Sequence, residues 1–542
     1  MNRIADVLLN LTYKLASSCR HFILHSLVCT AGLTILFWPM FFSGFTRLQD
    51  NPGDTLLNHY ILEHTWTCVT RTNYTGDFWN PPFFYPARNV LAYSETLIGV
   101  APVYWFFRLI FAETHAYQAW IITMAGGTYI CTVWALRRME ISHLAAATAS
   151  FLFSFGMIRS NQVGHQQLLC QLFTAPAIAF LWSYLQHGKT INLMGLTGCA
   201  TMQILACIYL GWFTAFAMAL FSIMVLVFDR NSRPTVLDHL RNNPVASSLI
   251  ACAAITCLIP IIAMYLIANT TSPRPLSECI LYAPRWSSWL APPPGWIAWP
   301  AMSRFTHLQH GMETWLFFGF MPYILSLVSI ISIVFSLKKS PSTGRLLIIC
   351  ALGSFVFLAV ISLVWKGYTI WAIIYSVVPG AKAIRVVARI WTVAFFFFVV
   401  AGAAGYDRYI HRLIASIWWR RAAGLAVLAI SMVEQVRVNL PSFVAEPFYR
   451  EANRLAEQLE GSQTAYIRPP ITSQTNIETA HICAMWAGLK ANIRVINGYS
   501  GRIPADYPDP GHPWDKAEID KWLGEYEKHE NVRILNIDLP WK

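Results

Sequence analysis

The sequence predicts an all-α polytopic membrane protein of about eleven transmembrane helices, followed by a small C-terminal α/β domain. Three observations lead there. Of 542 residues, 55% are hydrophobic and 13% charged, against about 25% charged in soluble domains, and the mean hydropathy is +0.43. Apolar runs of about twenty residues recur, each long enough to cross the ~30 Å hydrocarbon layer as a helix. After residue 436 the runs stop and ordinary globular patterning begins.

The elements follow in order. The first run, 21–42, is too long for a signal-peptide core and has no small-residue cleavage pattern, so it reads as a retained anchor. The expected spans are 22–43, 116–136, 143–158, 168–186, 191–208, 211–228, 246–268, 313–336, 345–364, 389–407 and 421–436. Lysine and arginine orient them. Arg3, Lys14 and Arg20 precede the first span. Arg137-Arg138, Lys189, Arg230, Lys338-Lys339, Arg408 and Arg420-Arg421 then all fall on the same, cytoplasmic side. That holds if two further apolar stretches, 95–111 and 370–378, lie along the outer surface without crossing. Pro102, Tyr104, Trp105 and snorkelling Arg108 suit such an interfacial helix.

An odd number of crossings from a cytoplasmic N-terminus leaves the C-terminus outside. Residues 1–436 form the membrane domain, with a first outer loop at 45–115 and a second at 269–312, and 437–542 form an extracytoplasmic domain. In that tail 448–459 has helical spacing, 464–468, 493–497 and 532–539 read as strands, 497–501 as a turn and 515–529 as a polar helix. The net charge of +12 resides mainly in the cytoplasmic connections, so it calls for a membrane surface and no nucleic acid. The twelve cysteines contain no C-x-x-C pair, and most sit in spans as small hydrophobes.

The first outer loop is far longer than topology requires, which marks it as functional. Pro52-Gly-Asp54-Thr55 breaks the chain and opens a helix over 55–70. Leu56, Leu57, Ile61, Leu62 and Trp66 share one side of it, and His59 and Glu63 meet on the other. This describes an amphipathic helix in the membrane plane. Asp54 suits either a helix N-cap or a general base acting on a hydroxyl. Phe78 to Pro86, with Trp79, Asn80 and Tyr85, suits either an aromatic belt or a platform for stacking sugar rings.

A phosphorylated ligand would need cations at the outer surface. Lys382, Arg385 and Arg389 stand there against the orientation bias, the two arginines sharing a helix face at four-residue spacing. Arg159, Asn161, His165 and Gln166 follow the third span, and Tyr209 follows the fifth. The second outer loop brings Glu278, Arg285, His307, His310 and Glu313, of which Glu313 is the preferred second carboxylate. His307-x-x-His310 lacks a nearby third ligand for a metal.

This order of short N-terminus, one span, long outer loop with an early aspartate, surface helices and a span ending in Arg-Arg resembles the GT-C superfamily of integral-membrane glycosyltransferases. Within it, the chain looks like a group of bacterial membrane proteins that share runs similar to Trp79-Asn-Pro-Pro-Phe-Phe-Tyr-Pro86, Pro379-Gly-Ala-Lys-Ala-Ile-Arg385-Val-Val-Ala-Arg389 and Asn497-Gly-Tyr-Ser-Gly501. The resemblance covers nearly the whole chain. It implies transfer of a sugar from a polyprenyl-phosphate donor to a glycan, lipid or protein acceptor outside the bacterial inner membrane; a single displacement with Asp54 as base would invert the anomeric centre. Asp54 and Glu313 are then the catalytic candidates. The substrate-binding candidates are His59, Glu63, Trp79, Asn80, Tyr85, Arg159, His165, Tyr209, Lys382, Arg385 and Arg389. Many members have an adjacent acidic pair where this chain has Asp54-Thr55, which leaves a divalent metal possible and no cofactor certain. The alternatives are a lipid or glycan transporter and a non-catalytic envelope scaffold. Transporters keep ionisable residues mid-membrane, whereas here the charges stand at the ends of the runs.

Overall fold

The structure, a computed structural model, describes residues 2–271, 274–296, 298, 300–306, 311–335, 342–469, 477–524 and 532–537. It is mostly helical. Seven helices among the described residues are long and apolar enough to cross a membrane: Ser18–Phe42, Glu113–Arg138, Gln166–His187, Ile208–Phe228, Pro244–Thr270, Thr343–Ser362 and Val387–Ile410. Thr190–Ala206 and Phe320–Val334 are shorter apolar helices. His143–Phe155 and Ile417–Glu434 complete the bundle. The eighth expected span, 313–336, is helical only from Phe320, because Glu313 lies in a single 3-10 turn before it.

The two stretches expected along the surface are short. Ala101–Arg108 and Trp371–Val377 would rise only about 10–12 Å as helices, far less than a bilayer. Phe106, Leu109, Ile110 and Phe111 remain exposed on the first, and Ile370, Ile373 and Val377 on the second. Arg108 does not snorkel; it pairs with Glu63 at 2.9 Å.

The first loop and the tail fold onto each other. Arg47–Gln49 pairs antiparallel with Ser442–Val444. A three-stranded parallel sheet places Thr464–Arg468 between Arg494–Val495 and Arg533–Asn536. Helices Glu446–Leu459, Ile477–Ala491 and Lys516–Leu523 pack around it, the last capped by Asp515. The Ile477–Ala491 helix is absent from the pattern-based reading: nearly all its residues are buried, so it shows no amphipathic period.

That helix also overturns one expectation. Pro52–Thr70 does not present one polar face to solvent as an amphipathic helix, because it is buried nearly all round. Trp486 donates its indole N–H to the Leu56 carbonyl at 3.3 Å and packs edge-on against His59 and Tyr60. On other sides Trp105 donates to Thr65 at 3.1 Å, and Tyr74 meets His64 at 2.8 Å. Neither is Asp54 the N-cap. Asn51 caps the helix by accepting from the Gly53 N–H at 3.0 Å, with Pro52 in the first turn.

The aromatic run from Phe78 joins the loop to the tail. Phe84 N–H donates to the Asn497 carbonyl at 3.0 Å, and Tyr85 N–H to the Val495 carbonyl at 3.1 Å. Phe84 packs so close to residue 498 that a Cβ there would stand 2.2 Å from its ring, so only glycine fits. Gly498→Ala is expected to cost about 1–3 kcal/mol through overpacking. A lowered melting temperature of the full-length protein, with loop–tail cleavage in limited proteolysis, would show it; an unchanged melting curve would contradict the contact.

Candidate functional site

The site forms where three irregular connections meet above the bundle. The first is the opening turn of Pro52–Thr70, which carries Asp54. The second is the turn after Gly156, where Met157–Ser160 and the 3-10 segment Gln166–Leu169 flank His165. Gln166 staples this turn to the first by donating to Thr55 Oγ1 at 2.7 Å, and Asn58 donates back to Gln167 at 2.8 Å. Gly164 allows the approach, since a Cβ there would lie 2.1 Å from Asp50 Oδ2. The third is the 3-10 turn of Glu313, held by Asn161 donating to the Met312 carbonyl at 2.7 Å.

Together with a fourth, the 3-10 turn Val387–Ile390 that carries Arg389, these connections build a chain of alternating charge. Asp54 Oδ2 lies 2.6 Å from His165 Nδ1, and His165 Nε2 lies 3.2 Å from Glu313 Oε1. The Arg389 guanidinium grips Glu313 from the far side, Nε at 3.0 Å from Oε1 and 3.2 Å from Oε2. Gln162 adds a bond to Glu313 at 3.4 Å. Side-chain exposure grades along the chain, from 24% and 22% at Asp54 and His165 to 9% and 10% at Glu313 and Arg389. The buried end anchors the open end.

Electrostatics follow from this geometry. Burial and the nearby Arg389 charge disfavour a cationic His165, but its bonds to Asp54 and Glu313 outweigh both and raise its pKa to about 9. Burial likewise pushes Asp54 and Glu313 up. His165 and Arg389 more than reverse this, so Asp54 ends below its ordinary range and Glu313 far below. At neutral pH an imidazolium therefore bridges two carboxylates.

The sign of the pH dependence is set by these directions. The raised His165 contributes stability in full below its unfolded value of about 6.5, and that contribution disappears as pH rises through about 9. The lowered carboxylates contribute above their unfolded values of about 4 and lose their effect as pH falls. Relative to His165→Gln, the native protein is expected to be most stabilised between about pH 4.5 and 6.5. The difference in melting temperature should shrink toward pH 9.5; a constant difference would show that His165 is neutral.

Around this chain the structure gathers further groups. Tyr499, from the turn after Asn497, donates to Asp54 Oδ1 at 3.3 Å. Asn497 fixes that turn by bonding both the N–H and the carbonyl of Ile467 at 2.8 Å. Burial and Asp54 push the Tyr499 phenol up, while the Arg385 charge acts the other way, so Tyr499 stands in the field of both. Glu478 and Asp50 also border Asp54; burial, reinforced by the Asp54 charge, raises both.

The other expected residues divide. Tyr209 joins the site: its ring lies under the Arg389 guanidinium at 5.5 Å and its hydroxyl bonds Val386. Glu95 sets its position by accepting from the Ile208 and Tyr209 N–H groups at 2.7 and 3.1 Å. Arg385 and Arg389 do not share a helix face. Ala381–Ala383 and Val387–Ile390 are separate 3-10 turns with extended backbone between them, so Arg385 lies over Tyr282 at 5.6 Å instead. Lys382 is exposed nearby.

His59, Glu63, Trp79, Asn80, Tyr85 and Arg159 stay out of the cluster. His59 bonds Tyr449 at 2.5 Å and Tyr104 at 3.2 Å, and Glu63 accepts from Tyr104 and Arg108. Asn80 bonds Asp77 at 2.9 Å, and Trp79 donates its backbone N–H to the same carboxylate. Tyr85 carries Arg494 over its ring at 4.8 Å. Arg159 is buried, donating to the Leu168 carbonyl beside the Phe153 ring. His59 and Tyr85 tie the loop to the tail, Glu63, Trp79 and Asn80 tie the loop to itself, and Arg159 holds the His165 turn.

Tyr499, Asp50, Glu478 and Gln162 are the contributors that sequence reasoning missed. Tyr499 lies in the Asn497–Gly501 turn, where its residue type gives no sign of the Asp54 contact. Among the described residues no group of three or more His, Cys, Asp or Glu could hold a metal ion; His307 and His310 lie outside the described residues.

The fold and site define a helical protein with membrane-length apolar helices and a carboxylate–imidazolium–carboxylate–guanidinium chain at one end of its bundle. No protein-family model and no curated protein matches the chain.

Proposed function

We propose that this protein is a membrane glycosyltransferase moving a hexose or pentose from a polyprenyl-phosphate donor to an acceptor hydroxyl on a glycan, lipid or protein, with inversion. In this reading it crosses the bacterial inner membrane eleven times, with a cytoplasmic N-terminus and the 437–542 domain outside. Each expected span overlaps a helix, which supports that count.

The observation that carries the reading is the Asp54–His165–Glu313–Arg389 chain, which holds one carboxylate at a semi-exposed position among aromatic and basic groups. Asp54 Oδ1 would receive the acceptor hydroxyl's proton as the acceptor oxygen bonds the anomeric carbon. In the same step the bond from that carbon to the phosphate oxygen breaks, its electron pair leaving with the lipid phosphate. A lowered pKa makes Asp54 a weak resting base, so the proton moves only as the hydroxyl oxygen gains positive charge. Arg385 and Lys382 would neutralise the departing phosphate. Tyr499, between Asp54 and Arg385, would orient the reacting groups.

The test uses full-length protein in nanodiscs with polyprenyl-phosphate sugars of known anomeric configuration. The expected products are polyprenyl phosphate and a glycoside of opposite configuration in equal amounts, the latter read by NMR. Retained configuration, or lipid movement without covalent change, would remove the proposal.

A further inference from the structure

The other end of the helix bundle holds a cavity of about 680 Å³ whose walls include Arg137, Arg138, His187 and Arg408, with Glu140 and Asp407 beside them. Arg389 lies just before the Trp391–Leu413 helix and Asp407 in its later half, about 27 Å apart at 1.5 Å per residue. The cavity is thus separate from the Asp54 cluster and independent of the function proposed for it.

Two of its cations, the exposed Arg137 and Arg138, bond only neutral groups of the chain. Arg137 donates to the Ile141 carbonyl. Arg138 donates to Ser183 Oγ at 3.2 Å and to Asn192 Oδ1 at 2.6 Å, with its guanidinium over the Phe180 ring at 4.7 Å. All these partners are neutral, and among the described residues neither guanidinium meets a carboxylate. Asp407 instead accepts from the Ser142 N–H at 2.6 Å and from its hydroxyl at 2.5 Å. Arg408 donates to Ser342, the N-cap of the Thr343–Ser362 helix. Thr343 and Gly344 of that helix line the cavity, adding the positive end of a helix dipole.

Arginines at the end of the Glu113–Arg138 helix suit its dipole and the orientation rule. Neither effect calls for a polar hollow between five helix ends. A volume in the range of small-ligand sites, the Arg137 and Arg138 guanidiniums bonded only to neutral oxygens and a helix start in the wall together select an anion. Guanidinium forks favour phosphate oxygens.

We propose that this cavity binds a phosphate ester, carried either by an anionic lipid headgroup or by a soluble phosphate compound. Full-length protein is titrated with phosphatidylglycerol against phosphatidylcholine by native mass spectrometry, and with inorganic pyrophosphate by thermal shift. Arg137→Gln is expected to weaken binding about tenfold, and Glu140→Gln, which removes an exposed anion from the wall without touching a buried bond, to strengthen it a few-fold. Phosphatidylglycerol retention with this pattern identifies the lipid source, and a pyrophosphate shift alone identifies the soluble one. Binding of neither probe, or binding indifferent to Glu140→Gln, overturns the proposal even where Arg137→Gln fails to fold.

Discussion

Asp54→Asn is expected to lower glycosyl transfer by about 10²–10⁴-fold, the range a positioned acid–base group contributes, while the protein stays folded. The substitution keeps the side chain's shape and one acceptor oxygen for His165 or Tyr499, so the neighbouring bonds weaken without a void. It removes the proton acceptor and the charge that holds His165 as an imidazolium. Purified variant and native protein would be compared for initial rate with the same donor, and for melting temperature. A folded variant of near-native rate would exclude Asp54 as the base. Loss of rate together with loss of fold would instead assign it to structure, and His165→Gln then separates the two.

Arg389→Met should produce the largest stability loss. Arg389 and Glu313 are about nine-tenths buried, and breaking a buried pair from one side costs about 3–5 kcal/mol because little water can replace the lost partner. His165 would still face Glu313, which offsets part of that cost. The double variant Arg389→Met with Glu313→Gln should recover much of the stability, as no lone charge is then buried. A double-mutant cycle in denaturant reads the coupling. Additive losses would mean that the two groups do not act as a pair. Activity should not return in the double variant, since the anchor of His165 is gone.

Much of this architecture was legible in the sequence, for a definite reason. Apolar runs report burial in lipid directly, so helices appear where runs of about twenty residues occur. Glu313 and Arg389 were visible as charges at the mouths of such runs, and Asp54 as an acid after a chain break. Legibility failed wherever protein replaced lipid or water as the neighbour. Pro52–Thr70 looks amphipathic, but Ile477–Ala491 packs against His59 and Ala101–Arg108 against Glu63, so both serve as internal ties. The four-residue spacing of Arg385 and Arg389 implied a shared face, but the backbone there is not one continuous helix.

By itself, then, the chain's composition and periodicity determined a bundle of membrane-length helices, since hydrophobic transfer depends on each segment alone. Which polar groups meet was decided only by the tertiary structure. Residues 54, 165, 313, 389 and 499 are far apart along the chain, and their bonds exist only because four irregular turns and the folded-back tail converge. A short-range attraction between charges leaves no periodic trace in sequence, so its partners become visible only once the backbone has closed the distance.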